Sequence, residues 1–222
     1  MSINIAVDGP AGAGKSTISR GAAKELGFIY VDTGALYRAV GLNALRLGID
    51  TKDAAKVGAA LAGTEVELRF IDGEQRVFLN GEDVSEAIRA PEASMAASNV
   101  SAIPSVRSFL FELQRDIAKN NNCIMDGRDI GTVVLPGAEI KIFLTASPEE
   151  RALRRYRELV AKDVPAEYEQ VLEEMKQRDF NDSNRAIAPL KPAPDAVLVD
   201  TTGYALDEAI ALVIKLIKER LD

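Results

Sequence analysis

The segment that most constrains the fold runs from Gly9 to Ser16 and reads GPAGAGKS. It follows an apolar run at residues 3–8 and leads into a helix-like segment from Lys15 to Leu26. A G-x-x-x-x-G-K-[ST] pattern between a strand and a helix is typical of a phosphate-binding P-loop. Its glycines allow successive N–H groups to point at a phosphate on the helix N-terminus. A Gly-rich turn that matches by accident is the alternative, and the flanking strand and helix argue against it.

The side chains of this loop indicate a bound nucleoside triphosphate. Lys15 supplies a mobile positive charge, and the Ser16 hydroxyl suits a magnesium ion that bridges the terminal phosphates. Thr17 adds a further donor in the first turn of the helix. We therefore expect the triphosphate to contact the whole loop, which comprises Gly9, Pro10, Ala11, Gly12, Ala13, Gly14, Lys15, Ser16 and Thr17.

The composition excludes several classes of chemistry. The 222 residues contain no histidine, which removes histidine acid–base catalysis, and only one cysteine, Cys123, which removes a disulfide within the chain and a thiolate metal site. A net charge of −7 argues against a nonspecific nucleic-acid surface, because such a surface requires a broad basic face. The sequence has no long apolar span and no signal-peptide pattern, so we expect a cytoplasmic protein without membrane contacts.

Alternating apolar and helical segments predict an α/β fold. Apolar runs recur at residues 3–7, 28–31, 123–125, 140–144 and 196–199, and helix-period segments separate most of them. This alternation is typical of a parallel sheet covered on both faces. We predict a P-loop three-layer sandwich with a five-stranded parallel sheet, forming a single domain over residues 1–222. Helices are expected at residues 15–26, 36–47, 105–120, 148–161, 166–182 and 205–221.

The pattern changes between residues 64 and 84. Polar and apolar residues alternate there with a period of two, and Asp72-Gly73 and Asn80-Gly81 are hairpin turn signals. We predict a small three-stranded antiparallel sheet, followed by short helical stretches to about Val100. Residues of about 62–100 would then form an insertion between two α/β units.

An acidic residue after the third apolar run narrows the choice among P-loop proteins. Asp126 ends the strand at residues 123–125, where a P-loop protein places the carboxylate that holds magnesium directly or through water. A role as the cap of a turn is the alternative. The guanine-reading N-K-x-D motif is missing, and no long hydrophobic strand ends in the Asp-Glu pair typical of motor ATPases. Both of those classes are therefore disfavoured.

Three arginines suggest a second phosphate site. Arg38, Arg128 and Arg185 stand in the segments DTGALYR, DGRDIG and DSNR, near Gly-rich or acidic neighbours. The planar fork of arginine binds two phosphate oxygens at once, although any one of these residues alone could be a surface arginine or part of an ion pair. Arg178 and Asp182 share a helix face with Arg185 if the helix persists, and they could hold a ribose or form an ordinary ion pair. Spacing does not choose between these two roles.

Four segments together carry a resemblance to a family. GPAGAGKST, VDTGALYR, MDGRDIGTVV and QRDFNDSNRAIAPL are similar to the bacterial cytidylate kinases, which are nucleoside monophosphate kinases, and the similarity covers nearly the whole chain. The resemblance implies transfer of the γ-phosphoryl group of ATP to CMP or dCMP with magnesium, giving CDP or dCDP and ADP. It also suggests a monomer, and it implies that the insertion of about 62–100 acts as the subdomain that binds the nucleoside monophosphate.

The resemblance implies roles residue by residue. Phosphate contacts fall on Arg38, Arg128 and Arg185, ribose contacts on Arg178 and Asp182, and cytosine contacts on Ser98, Arg107 and Asp129, while Thr33 matches a position near the acceptor that is usually Ser. A carboxylate at Asp129 can accept a hydrogen bond from the amino group that distinguishes cytosine from uracil. The arginines at 151, 154, 155 and 157 resemble the short helical lid of this class, over about residues 151–164, and we place Arg151 and Arg155 ahead of Arg154. Lys15, Asp126 and these two lid arginines are the candidate catalytic residues.

Two other functions stay open at this point. The nearer one is a kinase for a different monophosphate, such as UMP, AMP or dTMP. The farther one is a nucleotide-binding switch that hydrolyses its triphosphate slowly. The missing N-K-x-D motif and the arginines for a second phosphate both disfavour the switch.

Overall fold

A computed structural model describes residues 2–221 of the chain. The chain forms two compact units. We call Ile29–Asn121, together with Ser2, the inserted unit, and we call Ile3–Phe28 with the chain from residue 122 onward the P-loop unit. The single domain over residues 1–222 and the insertion of about 62–100 stay predictions, and residues 1 and 222 lie outside the described part.

The strands and helices alternate along much of the chain. The strands are β1 Asn4–Asp8, β2 Ile29–Asp32, β3 Val66–Ile71, β4 Glu74–Leu79, β5 Glu82–Asp83, β6 Cys123–Gly127, β7 Ile140–Thr145 and β8 Val197–Asp200. The helices are α1 Lys15–Leu26, α2 Thr33–Arg46, α3 Ala54–Ala60, α4 Pro91–Val100, α5 Pro104–Asn120, α6 Pro148–Val160, α7 Tyr168–Asn184 and α8 Leu206–Leu221. Short 3-10 turns lie at residues 61–63 and 87–89, and a single π-helical turn lies at residues 130–134.

The larger sheet has five strands, and those of the P-loop unit have the order β6-β1-β7-β8. In the P-loop unit β1 pairs in parallel with β6 on one side and β7 on the other, and β7 pairs in parallel with β8. The register places Val7 beside Asp126 and Asp8 beside Gly127, so the carboxyl ends of β1 and β6 lie side by side. Ligands of open α/β sheets bind at such carboxyl ends. The predicted α/β class with a five-stranded parallel sheet is confirmed.

The inserted unit contains a second, antiparallel sheet with the order β3-β4-β5. Its first turn is made by Asp72 and Gly73, which both have positive φ, as a tight hairpin turn of this kind requires. Val77 and Leu79 are buried on one face of β4 and join a core formed mainly with α2 and α5. The small antiparallel sheet predicted between residues 64 and 84 is therefore confirmed.

Two helix boundaries near the candidate site residues differ from the predicted ones. Helix α2 begins at Thr33 rather than at residue 36, because the Asp32 carboxylate accepts a hydrogen bond from the Ala35 amide and caps the helix. Helix α7 ends at Asn184, and the backbone of Arg185 is extended. Arg185 therefore does not continue the helical face of Arg178 and Asp182. Within residues 2–221, every helix is too short or too polar to span a bilayer.

Candidate active site

The P-loop joins β1 to α1 through glycines that other residues could not replace. Gly9 has φ +151°, and a Cβ there would lie 1.9 Å from the carbonyl oxygen of Leu144. Gly14 has φ +85° and stands immediately before Lys15, and within residues 2–221 the helix has no side-chain cap at this point. The loop therefore passes close to β7 and begins α1 with a residue that offers its first-turn amides no capping side chain. This is the backbone form that can surround a phosphate.

Lys15 lies buried within the P-loop unit. Its ammonium group donates a hydrogen bond to the carbonyl oxygen of Pro10 at 2.8 Å. Burial lowers the pKa of Lys15, and the positive charge of Arg128 lowers it further, while Asp126 and Asp8 raise it. A phosphate anion beside this group would favour its charged form. The loop thus contains a buried lysine whose charged form is most stable when an anion is bound beside it.

Ser16 and Asp126 meet at the carboxyl end of β6. The Ser16 hydroxyl donates a hydrogen bond to Oδ2 of Asp126 at 2.9 Å, and Asp126 is 3% exposed. A hydroxyl and a carboxylate side by side provide two oxygen ligands of the kind that Mg²⁺ prefers. The two residues that the sequence assigned to magnesium are therefore adjacent, and their donor atoms fit that ion.

Asp8, which sequence reasoning missed, anchors the segment after β6. Its carboxylate accepts hydrogen bonds from the amides of Ile130 and Gly131, both at 2.7 Å. Burial raises the pKa of Asp8 to about 6, against the opposing effect of these two amides. The same carboxylate lies 3.4 Å from the place that a Cβ on Gly131 would take. An acidic residue at the end of an apolar strand was the available signal, because a buried carboxylate requires partners.

Four residues of the P-loop unit that were predicted to bind the acceptor nucleotide form two ion pairs. The pairs are crossed, because each joins a residue that follows β6 to one at the end of α7. Nε of Arg128 lies 2.9 Å from Oδ2 of Asp182, and Nη2 of Arg185 lies 2.9 Å from Oδ1 of Asp129. Arg128 also donates to the Gly127 carbonyl, and Arg185 also donates to the Ala188 carbonyl. The pairs connect the segment after β6 to the C-terminal end of α7. The structure thus brings together residues that are more than fifty positions apart in the sequence.

Arg178 belongs to the same unit, on α7 one turn before Asp182. Its positive charge contributes to the lowered pKa of Lys15, which places it within electrostatic reach of the P-loop lysine. Asp182 has Arg128 as an ion-pair partner. The simple helix-surface pair between Arg178 and Asp182, which spacing left open, is therefore not the arrangement that accounts for Asp182.

The arginines of the predicted lid have three different environments. Arg151 is 3% exposed, donates to the carbonyls of Ala11 and Ala146, and forms a bidentate ion pair with Asp179 at 3.1 and 2.6 Å. Arg155 is more exposed, and its Nη1 lies 3.2 Å from a carboxylate oxygen of Glu158.

Arg154 lies against the P-loop. The sequence-based ranking, which placed Arg151 and Arg155 ahead of Arg154 as lid residues, did not anticipate this position. Its Nη1 is 3.8 Å from the position that a Cβ on Gly14 would take. It also donates to the Thr201 carbonyl and pairs with Glu150. Arg151 therefore holds α6 to the P-loop and α7, while Arg154 directs positive charge along the loop.

In the inserted unit, Arg38 has one carboxylate partner and an unused donor. Its Nη2 lies 2.6 Å from Oδ2 of Asp32, which is the residue that caps α2. Within the described residues, Nε of Arg38 is buried and makes no hydrogen bond. A buried unsatisfied donor is costly, so this atom is well suited to a ligand oxygen. Thr33 follows Asp32 in the sequence, is the first residue of α2 and is buried.

Ser98 and Arg107 lie on α4 and α5 of the inserted unit. Arg107 is 9% exposed, its guanidinium lies 5.9 Å from the ring centroid of Tyr37, and its Nη1 points at the Ser101 carbonyl at 3.5 Å. The Ser98 carbonyl accepts a hydrogen bond from the Ser101 hydroxyl. Ser101 therefore lies between the two predicted base contacts. The hydroxyl of Ser98 and the guanidinium of Arg107 are groups suited to polar recognition.

The fold and the P-loop, with a second set of arginine and aspartate side chains behind it, define the class of the nucleoside monophosphate kinases. The family described as cytidylate kinase matches residues 5–219 of the chain. The cytidylate kinase of Caldicellulosiruptor bescii is 53% identical over 214 residues, which are 96% of this chain and 95% of that relative. The cytidylate kinase of Carboxydothermus hydrogenoformans is 49% identical over 220 residues, 99% of each chain. This chain therefore belongs to the cytidylate kinase family.

A solved structure shares the fold at low sequence identity. A crystal structure of an uncharacterized protein from Eubacterium ventriosum has a TM-score of 0.51 and 12% identity, covering 98% of this chain and 99% of the other. At this identity the likeness concerns the fold alone.

Proposed function

We propose that this chain transfers the γ-phosphoryl group of ATP to CMP or dCMP and releases ADP with CDP or dCDP. The observation that carries the proposal is the crossed pair of ion pairs in the P-loop unit, in the same compact unit as the P-loop. A protein that only hydrolyses a triphosphate needs no such second set of arginines. Membership of the cytidylate kinase family supports the choice of acceptor.

On the donor side, we assign ATP to residues 9–17, the P-loop and the first turn of α1. The uncapped amides of this turn bind phosphate oxygens, and Lys15 places its ammonium on the transferred group. Ser16 and Asp126 would hold Mg²⁺, directly or through water. When bound, the ion would neutralise charge on the terminal phosphates.

On the acceptor side, we assign the CMP phosphate to Arg128 and Arg185 and the ribose to Arg178 and Asp182. A guanidinium has five N–H donors, so each arginine can keep its carboxylate and still bind phosphate oxygens. Asp129 would accept a hydrogen bond from the cytosine amino group.

For the inserted unit, we extend the acceptor assignment to four residues by their chemistry and by the family resemblance. The unsatisfied Nε of Arg38 supports a phosphate contact. The hydroxyl of Thr33 is assigned near the same group, and Ser98 and Arg107 are assigned to cytosine.

The transfer step requires alignment and positive charge more than acid–base catalysis. The attacking atom is an oxygen of the CMP phosphate, which is already ionised, so no general base is required, and the chain has no histidine to provide one. Charge develops on the equatorial oxygens of the transferred group, and Lys15 with arginines of α6 would stabilise it. Arg155 and Arg154 can approach the phosphates with the loss of few hydrogen bonds. Arg151 would first have to release Asp179 and Ala11.

A coupled assay of ATP consumption across monophosphate acceptors tests the proposal. With magnesium present, we expect CMP and dCMP to give the highest kcat/KM among CMP, dCMP, UMP, AMP and dTMP. Preference for another monophosphate would reassign the acceptor. ATP hydrolysis that no monophosphate changes would instead support the nucleotide switch. A cytoplasmic location and a monomeric state stay predictions.

A further inference from the structure

We propose that Gln75, on the antiparallel sheet of the inserted unit, positions Arg38 for phosphate binding by clamping the backbone of Asp32. Gln75 would be a positioning residue, because its polar atoms reach Asp32 and not the arginine itself. The inference rests on the proposed role of Arg38 as a phosphate contact. It gives the small antiparallel sheet a specific part in binding the acceptor phosphate.

The clamp consists of two hydrogen bonds to one residue. The amide of Asp32 donates to Oε1 of Gln75 at 2.8 Å, and Nε2 of Gln75 donates to the carbonyl oxygen of Asp32 at 3.2 Å. A side-chain amide that bonds both the N–H and the C=O of one residue imitates the pairing of a neighbouring strand. The last residue of β2 is therefore held in place by a side chain of β4.

Gln75 is also a polar residue on an otherwise apolar face. Residues 75, 77 and 79 of β4 point to the same side of the sheet, and Val77 and Leu79 are both 2% exposed. An apolar residue at position 75 would extend this core face. The amide is explained by its two partners on Asp32, since a polar group on such a face is costly without them.

Asp32 passes this restraint to the arginine. Its Oδ1 accepts a hydrogen bond from the Ala35 amide at 3.1 Å, and its Oδ2 lies 2.6 Å from Nη2 of Arg38. The backbone of Asp32 is fixed by Gln75 and its side chain by the helix N-terminus. The Asp32 carboxylate then has little conformational freedom, so the guanidinium plane of Arg38 is fixed as well.

The residue between these partners leaves room for the pair. A Cβ on Gly34 would lie 3.0 Å from Oδ1 of Asp32 and 3.5 Å from Nη1 of Arg38. Any larger residue would crowd the ion pair from the side. The remaining buried donor of Arg38, Nε, is thus held in one direction without a partner of its own in the described chain. A donor held in this way loses little entropy when it binds a phosphate oxygen.

The test compares Gln75→Met with Glu74→Met in steady-state assays of ATP and CMP. Methionine keeps the length of the glutamine but removes both hydrogen bonds, while position 74 is exposed and faces the other side of β4. For Gln75→Met we expect the KM for CMP to rise about fivefold to tenfold, the size of one or two lost hydrogen bonds, with the KM for ATP unchanged. Glu74→Met should leave both constants unchanged.

A double-mutant cycle with Arg38→Met separates positioning from simple stabilisation of the sheet. If Gln75 acts through Arg38, Gln75→Met adds no further rise in the KM for CMP once Arg38 is gone. The same rise in both backgrounds, or no rise in the wild-type background, would overturn the inference.

Hydrogen exchange of the Asp32 amide keeps the inference separate from the proposed function. Faster exchange in Gln75→Met, with an unchanged rate in Glu74→Met, tests the clamp in the nucleotide-free protein. If the wild-type chain did not phosphorylate CMP, the proposed function would fail although the clamp was present. An unchanged exchange rate in Gln75→Met would show that the clamp does not exist, whichever substrate the protein uses.

Discussion

Asp8 gives a prediction with a calculable magnitude, because its carboxylate is buried and its hydrogen-bond partners within residues 2–221 are two backbone amides. Burial raises its pKa from 3.8 to about 6 in the folded chain. Replacing it by Asn keeps the shape and one acceptor oxygen but removes the ionisation. The amide of Asn would face one of the two backbone N–H groups, from Ile130 or Gly131, and that loss does not depend on pH.

The sign of the pH effect follows from proton binding. The folded chain holds the Asp8 proton more tightly than the unfolded chain, so the free energy of unfolding falls as pH rises between the two pKa values. The cost is absent well below pH 3.8 and complete well above pH 6. The full shift of about 2.2 pKa units corresponds to about 3 kcal/mol. Of this loss in the free energy of unfolding, about 1.4 kcal/mol occurs between about pH 5 and about pH 8.

The assay is thermal or denaturant unfolding of the nucleotide-free wild type and Asp8→Asn at these two pH values. The variant should gain stability relative to the wild type by about 1.4 kcal/mol on going to the higher pH, or about 3–6 °C in Tm. Asp83→Asn is the matched control: hydrogen bonds from Ser85 and the Arg76 partner lower the Asp83 pKa to about 2, so this change should act equally at both pH values. A pH-independent difference for Asp8→Asn would refute the reasoning.

Three further substitutions test the site. Lys15→Ala should lower kcat at least about a hundredfold with an unchanged melting curve, while Lys24→Ala, in the exposed last turn of α1, should leave kcat unchanged; near-normal turnover of the first would contradict its role. Asp129→Ala should reduce the preference for CMP over UMP about tenfold or more in kcat/KM, and an equal ratio would exclude base reading. Gly9→Ala should lower Tm strongly, because its Cβ would meet the carbonyl oxygen of Leu144 at 1.9 Å, and an unchanged Tm would contradict that packing.

Local signals in the sequence predicted most of the fold. The P-loop between a strand and a helix, the five apolar runs and the two hairpin turn signals lie within short windows, so periodicity and turn chemistry were sufficient. The start of α2 was predicted three residues late because the capping role of Asp32 was not used. The π-helical turn at residues 130–134 had no local signal, since the Asp8 carboxylate that holds its first amides comes from the start of the chain.

The sequence indicated candidate residues for the site but not the contacts between them. Arginine and aspartate residues in Gly-rich segments indicated the parts, but the partner of each is distant in sequence. Arg128 pairs with Asp182, and Arg185 with Asp129, across a separation that no spacing rule covers. The bidentate pair of Arg151 with Asp179 was missed for the same reason, and it changes the expected freedom of a lid arginine.

The crossed ion pairs suggest why a nucleotide, and not phosphate alone, would fit this unit best. Each pair joins an arginine assigned to phosphate with a carboxylate assigned to sugar or base. Inorganic phosphate can satisfy Arg128 and Arg185, but it brings neither ribose hydroxyls nor a cytosine amino group to Asp182 and Asp129. CMP brings a phosphate for the arginines together with ribose hydroxyls and a cytosine amino group for the carboxylates. Because each added hydrogen bond contributes to binding, the unit would favour the ligand that provides partners to both members of each pair at once.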